Sequence, residues 1–362
     1  MRAAHTLAVA LVLTSCGSEP VNWRDEYTFA WEGEHVTVYG YERAEAEVCG
    51  GSFEALDQNS AAIIDLLRYD DSLHYDYYWM SQDVWDGRCP PGAIACTSLG
   101  VPWTRSIPHM HEAAHALSYL TPGHGCTSVL EEGLAEYFGG PRFHADWNHW
   151  SSPEFEGTIS EFLTAVKLPG RGYERAGHFA SFLVEAYGPE AVASLCRTIP
   201  HFSTEEDWQD ATQAILGVEL EHLLEEYGQY PLCHHQQYRA RLWECAGEPD
   251  AVADPHGEVV FEVSMDCHDP GTIGPLAGRI VATRRIWFPE DMRAGVFVVG
   301  EDGEAANLDF NLEECAPCSA YPDLFANTDL TTVFNFRAGM YELILYSEPE
   351  ESESLVIRLV PF

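Results

Sequence analysis

The run His111-Glu112-Ala113-Ala114-His115 constrains this chain more than any other stretch of it. On an α-helix, positions i and i+4 share a face, so the two imidazoles project side by side. Two such nitrogens can bind one divalent ion, zinc above all. Glu112 sits beside that face, where its carboxylate can take a proton from a water activated by the metal. The flanks predict the helix. Ser106 suits an N-cap, Pro108 suits the first turn, and Thr121-Pro122-Gly123 ends the run. Apolar Ile107, Met110, Ala114, Leu117 and Leu120 recur at three- and four-residue steps, so Ile107–Leu120 is expected to be helical with one buried face.

A catalytic zinc needs a third protein ligand and keeps a fourth position open. The candidate is Glu132, seventeen residues after His115. It falls in a second expected helix, Leu130–Phe138, closed by Gly139-Gly140-Pro141. Glu132 and Glu136 are four apart and share a face. Glu136 is then placed to accept the free ring N–H of a zinc-bound histidine, orienting the imidazole and raising its basicity. Glu131 points elsewhere and is expected in solvent.

Together the two motifs resemble the gluzincin metallopeptidases, and the aminopeptidase N branch most closely. That branch carries His-Glu-x-x-His and then an Asn-Glu-Gly-Phe-Ala-like ligand helix, matched here by Glu131-Glu132-Gly133-Leu134-Ala135. Thermolysin-like members place an acidic residue four after the ligand glutamate, as Glu136 stands here. Downstream, Tyr173-Glu174-Arg175-Ala176-Gly177 resembles the Tyr-Glu-Lys-Gly helix of the same branch. The resemblance covers roughly residues 25 to 230. It implies one Zn²⁺ on His111, His115 and Glu132, with Glu112 as general base. It implies Tyr173 as hydrogen-bond donor to the oxyanion, with His178 as an alternative donor. Two departures stand out. The gap from His115 to Glu132 is slightly short for an aminopeptidase. The Gly-x-Met-Glu-Asn strand that grips a free amino group there has no match, since Gly92-Ala93-Ile94-Ala95-Cys96 lacks the carboxylate. The resemblance thus implies hydrolysis of a peptide or protein and leaves exo or endo cleavage open.

The N-terminus indicates where that chemistry takes place. Arg2 precedes a mostly apolar stretch, Ala3 to Leu13, that is short for a membrane span. Leu13-Thr14-Ser15-Cys16-Gly17 then resembles a bacterial lipobox, which implies cleavage before Cys16 and a lipid anchor on its thiol. Gly17 in place of Asp implies, by the same resemblance, the outer membrane of a bacterial cell envelope. Of the 11 cysteines, setting aside Cys16 leaves an even set, enough for five disulfides in an oxidising compartment. Cys89 and Cys96 bracket a Pro-Pro-Gly turn and are expected to pair. Cys233 and Cys245 are likewise close in sequence, and Cys267 is within reach of Cys315 or Cys318. Spacing names no partner for Cys49, Cys126 or Cys196. Cys315-Ala-Pro-Cys318 has no second pair at zinc-ribbon spacing and is expected to be structural.

The formal net charge is −39, and Lys167 is the one lysine among 19 basic residues. Such a surface repels nucleic acid and disfavours strongly acidic substrates.

The expected fold class is α+β. A gluzincin-like catalytic domain is assigned to residues 26–247, after a signal peptide at 1–15 and a linker at 16–25. Its N-terminal lobe is mixed: His35–Tyr41 and His74–Met80 alternate like strands around a helix at Ser52–Leu67. Its C-terminal lobe reads helical from Ser128 to about Cys245, and the cleft between the lobes is the expected substrate site. Phe143–Ser152, with Trp147, His149 and Trp150, lacks periodicity and suits a loop over that cleft. Ala246–Gly257 has linker composition. Beyond it seven stretches of period two, from Val259–Val263 to Leu355–Val360, predict a β-sandwich over 256–362. The segment from Phe336 to Leu345, with Gly339 and Tyr341, resembles the pre-peptidase C-terminal domain of secreted bacterial peptidases. The expected activity is a membrane-anchored zinc peptidase. A second reading is a catalytically silent peptidase fold that serves as a surface binding protein; a structural zinc site, however, has no use for Glu112. A third keeps the zinc and hydrolyses something other than peptide.

Overall fold

The computed structural model describes residues 27–361, except 41–47, 81–88, 91–92, 124, 141–157, 169–171, 255–257, 277, 301–305, 307, 317, 319–323, 328–332 and 349–352. Cys16 and all of Phe143–Ser152 therefore lie outside the described residues. The chain is mixed α and β. No helix among the described residues is long and apolar enough to cross a membrane.

The first layer is a five-stranded sheet of β1 (Phe29–Glu32), β2 (Val36–Gly40), β3 (Tyr75–Trp79), β4 (Ala95–Ser98) and β5 (Val101–Thr104). Their spatial order is β1-β2-β3-β5-β4, which puts β4 at one edge. β2, β3 and β5 run parallel, while β1 and β4 are antiparallel to their neighbours. α1 (Gly51–Leu67) supplies the crossover between β2 and β3 and buries Leu56, Ile63, Ile64 and Leu67 against Val36, Val38, Tyr75 and Tyr77 of the sheet. Apolar residues at helical steps on α1 and at alternate positions on the strands produce this contact.

α2 (Met110–Leu120) follows β5 directly. It begins three residues later than the periodicity suggested, with His109 and not Ser106 at the N-cap. The sheet decides this. The Ser106 carbonyl accepts hydrogen bonds from Tyr77 Oη at 3.1 Å and Thr104 Oγ1 at 3.0 Å, which ties it to β3 and β5. The helical layer continues with α3 (Ser128–Tyr137), α4 (Ile159–Leu163), α5 (Gly172–Tyr187), α6 (Pro189–Thr198), α7 (Glu205–Ala211), α8 (Leu220–Gln229) and the short α9 (His235–Tyr238). Thr127 caps α3 by accepting from Leu130 N, and a capping box of Thr204 and Asp207 starts α7. α3 and α5 cross at two glycines. A Cβ on Gly133 would stand 2.5 Å from the Ala176 carbonyl, and one on Gly177 would stand 2.7 Å from Glu136 Cβ and from the Tyr238 ring. Only a residue without a side chain permits this approach.

Ten strands follow: β6 (Ala251–Val252), β7 (Val259–Met265), β8 (Thr272–Leu276), β9 (Arg279–Phe288), β10 (Met292–Gly300), β11 (Asp309–Glu314), β12 (Leu324–Asn327), β13 (Val333–Phe336), β14 (Gly339–Ser347) and β15 (Glu353–Pro361). One sheet runs β13-β10-β15-β7; the other runs β12-β11-β14-β9-β6, with β8 also on β9. Val263, Val296, Val298 and Ile357 of the first face Ile286, Leu312, Leu343 and Leu345 of the second across one core. The alternate residues of the larger sheet are buried too. Val281, Ile344 and Tyr346 point the other way, into the core that contains α1 and the helices. That is why β14 reads as a nearly unbroken buried run: the sheet is a middle layer, covered on both faces.

Disulfides, with ion pairs of Arg239 and Arg241 to Glu342 and Glu313, close the seam between the segment before residue 250 and the C-terminal strands. Cys49 pairs with Cys267, Cys126 with Cys196, Cys233 with Cys318, and Cys245 with Cys315, alongside the expected Cys89–Cys96. The sequence neighbours Cys233 and Cys245 do not pair, nor does Cys267 reach Cys315 or Cys318. The segment 233–245 instead lies along β11, and each of its cysteines takes a partner just beyond that strand. Cys315 and Cys318 are both in disulfides, in keeping with a structural role.

Candidate metal centre

α2 presents His111 and His115 on one face, and α3 brings Glu132 to meet them. His115 Nε2 lies 3.1 Å from His111 Nε2 and 3.1 Å from Glu132 Oε2, and His111 Nε2 lies 3.4 Å from the same oxygen. Ligand atoms about 2.0–2.1 Å from a tetrahedral zinc stand about 3.3 Å from each other. The three donors thus have the mutual spacing of three corners around one such ion. His111, His115 and Glu132 form one of two His/Cys/carboxylate groups with metal-ligand spacing among the described residues. The other, His178 with Cys233 and Cys318, has both sulfurs in a disulfide.

The tautomers fit as well. His111 Nδ1 is 3.2 Å from Glu136 Oε1, so that nitrogen carries the proton and Nε2 turns a lone pair inward. His115 Nδ1 faces Glu131 Oε1 at 3.9 Å. This corrects the expectation for Glu131, which is half-exposed but turned toward the histidine. α3 carries Glu131, Glu132 and Glu136 within a turn and a half, so three of its carboxylates reach the two imidazoles. Glu136 is in turn buttressed from behind: His235 Nε2 donates to its backbone carbonyl at 3.1 Å and lies 4.0 Å from Oε2.

The field at this cluster is strongly negative. Burial opposes a charge on His111, but hydrogen bonds to Glu132 and Glu136, with the fields of Glu136 and Glu112, push it up to about 9. Burial raises Glu132, yet its hydrogen bonds to His111 and His115 bring it down to about 2. A site that draws a proton onto a buried imidazole in this way also attracts a cation. The donor set of two imidazole nitrogens and one carboxylate oxygen suits zinc.

Glu112 is buried beside His111, and its Oε2 accepts from Thr97 Oγ1 at 2.7 Å. Tyr173, at the start of α5, is half-buried, with its ring centroid 6.3 Å from that of His111. Burial, then the charge of and hydrogen bond to Glu132, push the phenol up to about 12, so it stays a protonated donor. His178 faces elsewhere. It is buried, with Nδ1 3.1 Å from Tyr227 Oη and Nε2 2.9 Å from the Pro231 carbonyl, and burial lowers its pKa.

The structure therefore brings together Glu112, Tyr173, His111, His115, Glu132 and Glu136. Sequence reasoning missed Thr97 and His235. Neither belongs to a motif, and each meets the site only through tertiary contacts.

No protein-family description matches the chain, and no curated protein matches it. Among solved structures, Legionella pneumophila aminopeptidase A in complex with aspartic acid aligns at TM-score 0.33 and 11% identity, over 88% of this chain and 34% of that chain. The chain thus spans about a third of that protein's length. CapF with the inhibitor 3-isopropenyl-tropolone aligns at TM-score 0.13 and 9% identity, over 84% of this chain and 85% of that one. At these TM-scores neither alignment establishes a shared fold.

Proposed function

We propose that this chain is a zinc-dependent peptidase of the gluzincin type, with residues 26–247 as its catalytic unit. The observation that carries the reading is the convergence of His111 Nε2, His115 Nε2 and Glu132 Oε2 at 3.1–3.4 Å, with the outward nitrogen of His111 held by Glu136. A zinc ion held by these three groups would supply an acidified water and a Lewis acid. Glu112 would serve as general base, taking a proton from the attacking water and returning it to the leaving amine. Tyr173 donates a hydrogen bond to the substrate oxygen as negative charge develops on it. Glu136 keeps the proton of His111 on Nδ1 and so keeps Nε2 available.

Two further features support a peptide substrate in an oxidising compartment. β4 ends its sheet beside Glu112, and a peptide in extended form can add along such an edge. Five disulfides favour a compartment outside the reducing cytosol. Lipidation of Cys16 and attachment to the outer membrane complete the reading. The decisive experiment is metal analysis of the purified protein beside hydrolysis of a mixed peptide library. About one zinc per chain with cleavage that chelation abolishes is the expected result. Zinc without cleavage of any peptide would favour the silent binding protein or a non-peptide substrate.

A further inference from the structure

We propose that Thr97 is a positioning residue for Glu112, an inference that rests on the reading of Glu112 as general base. Thr97 Oγ1 lies 2.7 Å from Glu112 Oε2 and 3.0 Å from the Glu112 carbonyl oxygen. A threonine hydroxyl has a single proton, and the shorter contact, to a charged acceptor, takes it. That bond engages one lone pair of Oε2 and leaves Oε1 the less encumbered oxygen for the reacting water. The hydroxyl also fixes the plane of the carboxylate, which a glutamate on three rotatable bonds does not hold by itself.

Thr97 is itself well held. It is β-branched, which restricts its χ1. It stands opposite Pro102 in the β4–β5 ladder, and its neighbour Cys96 is bonded to Cys89. Glu112 is thus gripped from two sides: its backbone belongs to α2, and its side chain is tied to β4. The metal ligands need no such help from β4, because α2 and α3 alone bring them together. The expected consequence of losing the hydroxyl is a fault in proton transfer with the metal site intact.

The test compares Thr97→Val and Thr97→Ser with the parent protein and with Glu112→Gln, on a peptide substrate taken from the library. Thr97→Val should lower kcat about 10- to 100-fold and leave KM within about twofold, the effect of one hydrogen bond to a charged group acting in turnover. Thr97→Ser, which keeps the hydroxyl, should stay within about threefold of the parent. Zinc content should be unchanged in both. A crystal structure of Thr97→Val should show the Glu112 carboxylate turned away from β4 while His111 and His115 stay in place. Should the valine variant fail to fold, Thr97→Ala carries the same expectations with less crowding at the edge. Parent-like kcat in Thr97→Val beside an inactive Glu112→Gln would overturn the proposal and leave the reading of the site standing. So would a serine variant as impaired as the valine one, or loss of zinc in Thr97→Val. Turnover retained in Glu112→Gln would overturn the general-base reading, and this proposal with it.

Discussion

Two buried polar clusters in this molecule solve the same electrostatic problem in opposite ways. At the seam, Arg239 and Arg241 lie buried among three carboxylates. Arg239 reaches Glu244 at 2.7 Å and Glu342 at 2.5 Å, and Arg241 reaches Glu313 at 2.7 Å and Glu342 at 3.3 Å. There the chain provides its own cations. At the candidate metal centre, by contrast, the ion pairs among the described residues join histidine to glutamate. Its three donor atoms, on His111, His115 and Glu132, converge on one another at metal-ligand spacing. Buried charge must be compensated, because desolvation is costly. Where the compensation is built in, the cluster locks two layers together. Where it is left to a cation from outside, the cluster can hold a reagent.

The contrast can be broken most sharply at the metal centre. Glu112→Gln should reduce turnover by about 10²- to 10⁴-fold, the range for a general base, while zinc content stays near that of the parent. His115→Ala should lose zinc as well as activity. If the two variants lose zinc alike, Glu112 is a ligand and not the base.

The matching change at the seam is Arg239→Met. It should cost about 3–5 kcal/mol in denaturant unfolding, because it leaves buried carboxylates without their partner. A cost below about 1 kcal/mol would mean that the seam is not an ionic lock.

Tyr173→Phe comes next. It removes only the hydroxyl, so kcat should fall about 10²- to 10³-fold with KM and melting temperature nearly unchanged. Parent-like kcat would remove Tyr173 from the mechanism.

Gly133→Ala tests the crossing that delivers Tyr173 to the site. The added methyl would meet the Ala176 carbonyl at 2.5 Å, so a loss of about 1–3 kcal/mol is expected in thermal or denaturant unfolding. A neutral Gly133→Ala would show that the two helices are not tightly apposed at this crossing.

The last change is Glu342→Gln, whose effect depends on pH. Burial raises Glu342, Arg239 and Arg241 lower it, Glu244 and Glu313 raise it, and the net result is a rise from 4.5 to about 7. A carboxyl raised on folding contributes stability that is fully present below about pH 4.5 and lost as pH climbs through about 7. The parent should therefore lose melting temperature relative to Glu342→Gln between pH 5 and pH 8, by calorimetry. A constant difference across that range would show that Glu342 stays ionised throughout, as a full partner of both arginines.

Much of the geometry of the candidate site was legible in the sequence because its elements are local. Four-residue steps in His111/His115 and Glu132/Glu136 place each pair on one helical face, whatever the rest of the chain does. Period-two stretches likewise foretold seven of the C-terminal strands. β6, β8 and β12 were missed, being short or interrupted by Gly-Pro. The helix start misled for a similar reason: Ser106 and Pro108 have the local character of a cap, but the sheet claims the Ser106 carbonyl.

Tertiary structure decided the rest. That the two helices face each other with Nε2 of both histidines inward depends on how α2 and α3 pack. Tyr173 reaches Glu132 because Gly133 and Gly177 let α3 and α5 touch. Thr97 reaches Glu112 because β4 takes the edge next to α2. Disulfide partners follow distance in space: Cys49 and Cys267 are 218 residues apart, yet their Cα atoms are 4.3 Å apart. Helical and strand periods are properties of one short stretch of backbone, so the order of residues specifies them directly. Contacts between stretches depend on the balance of burial over the whole chain, and only the folded molecule resolves it.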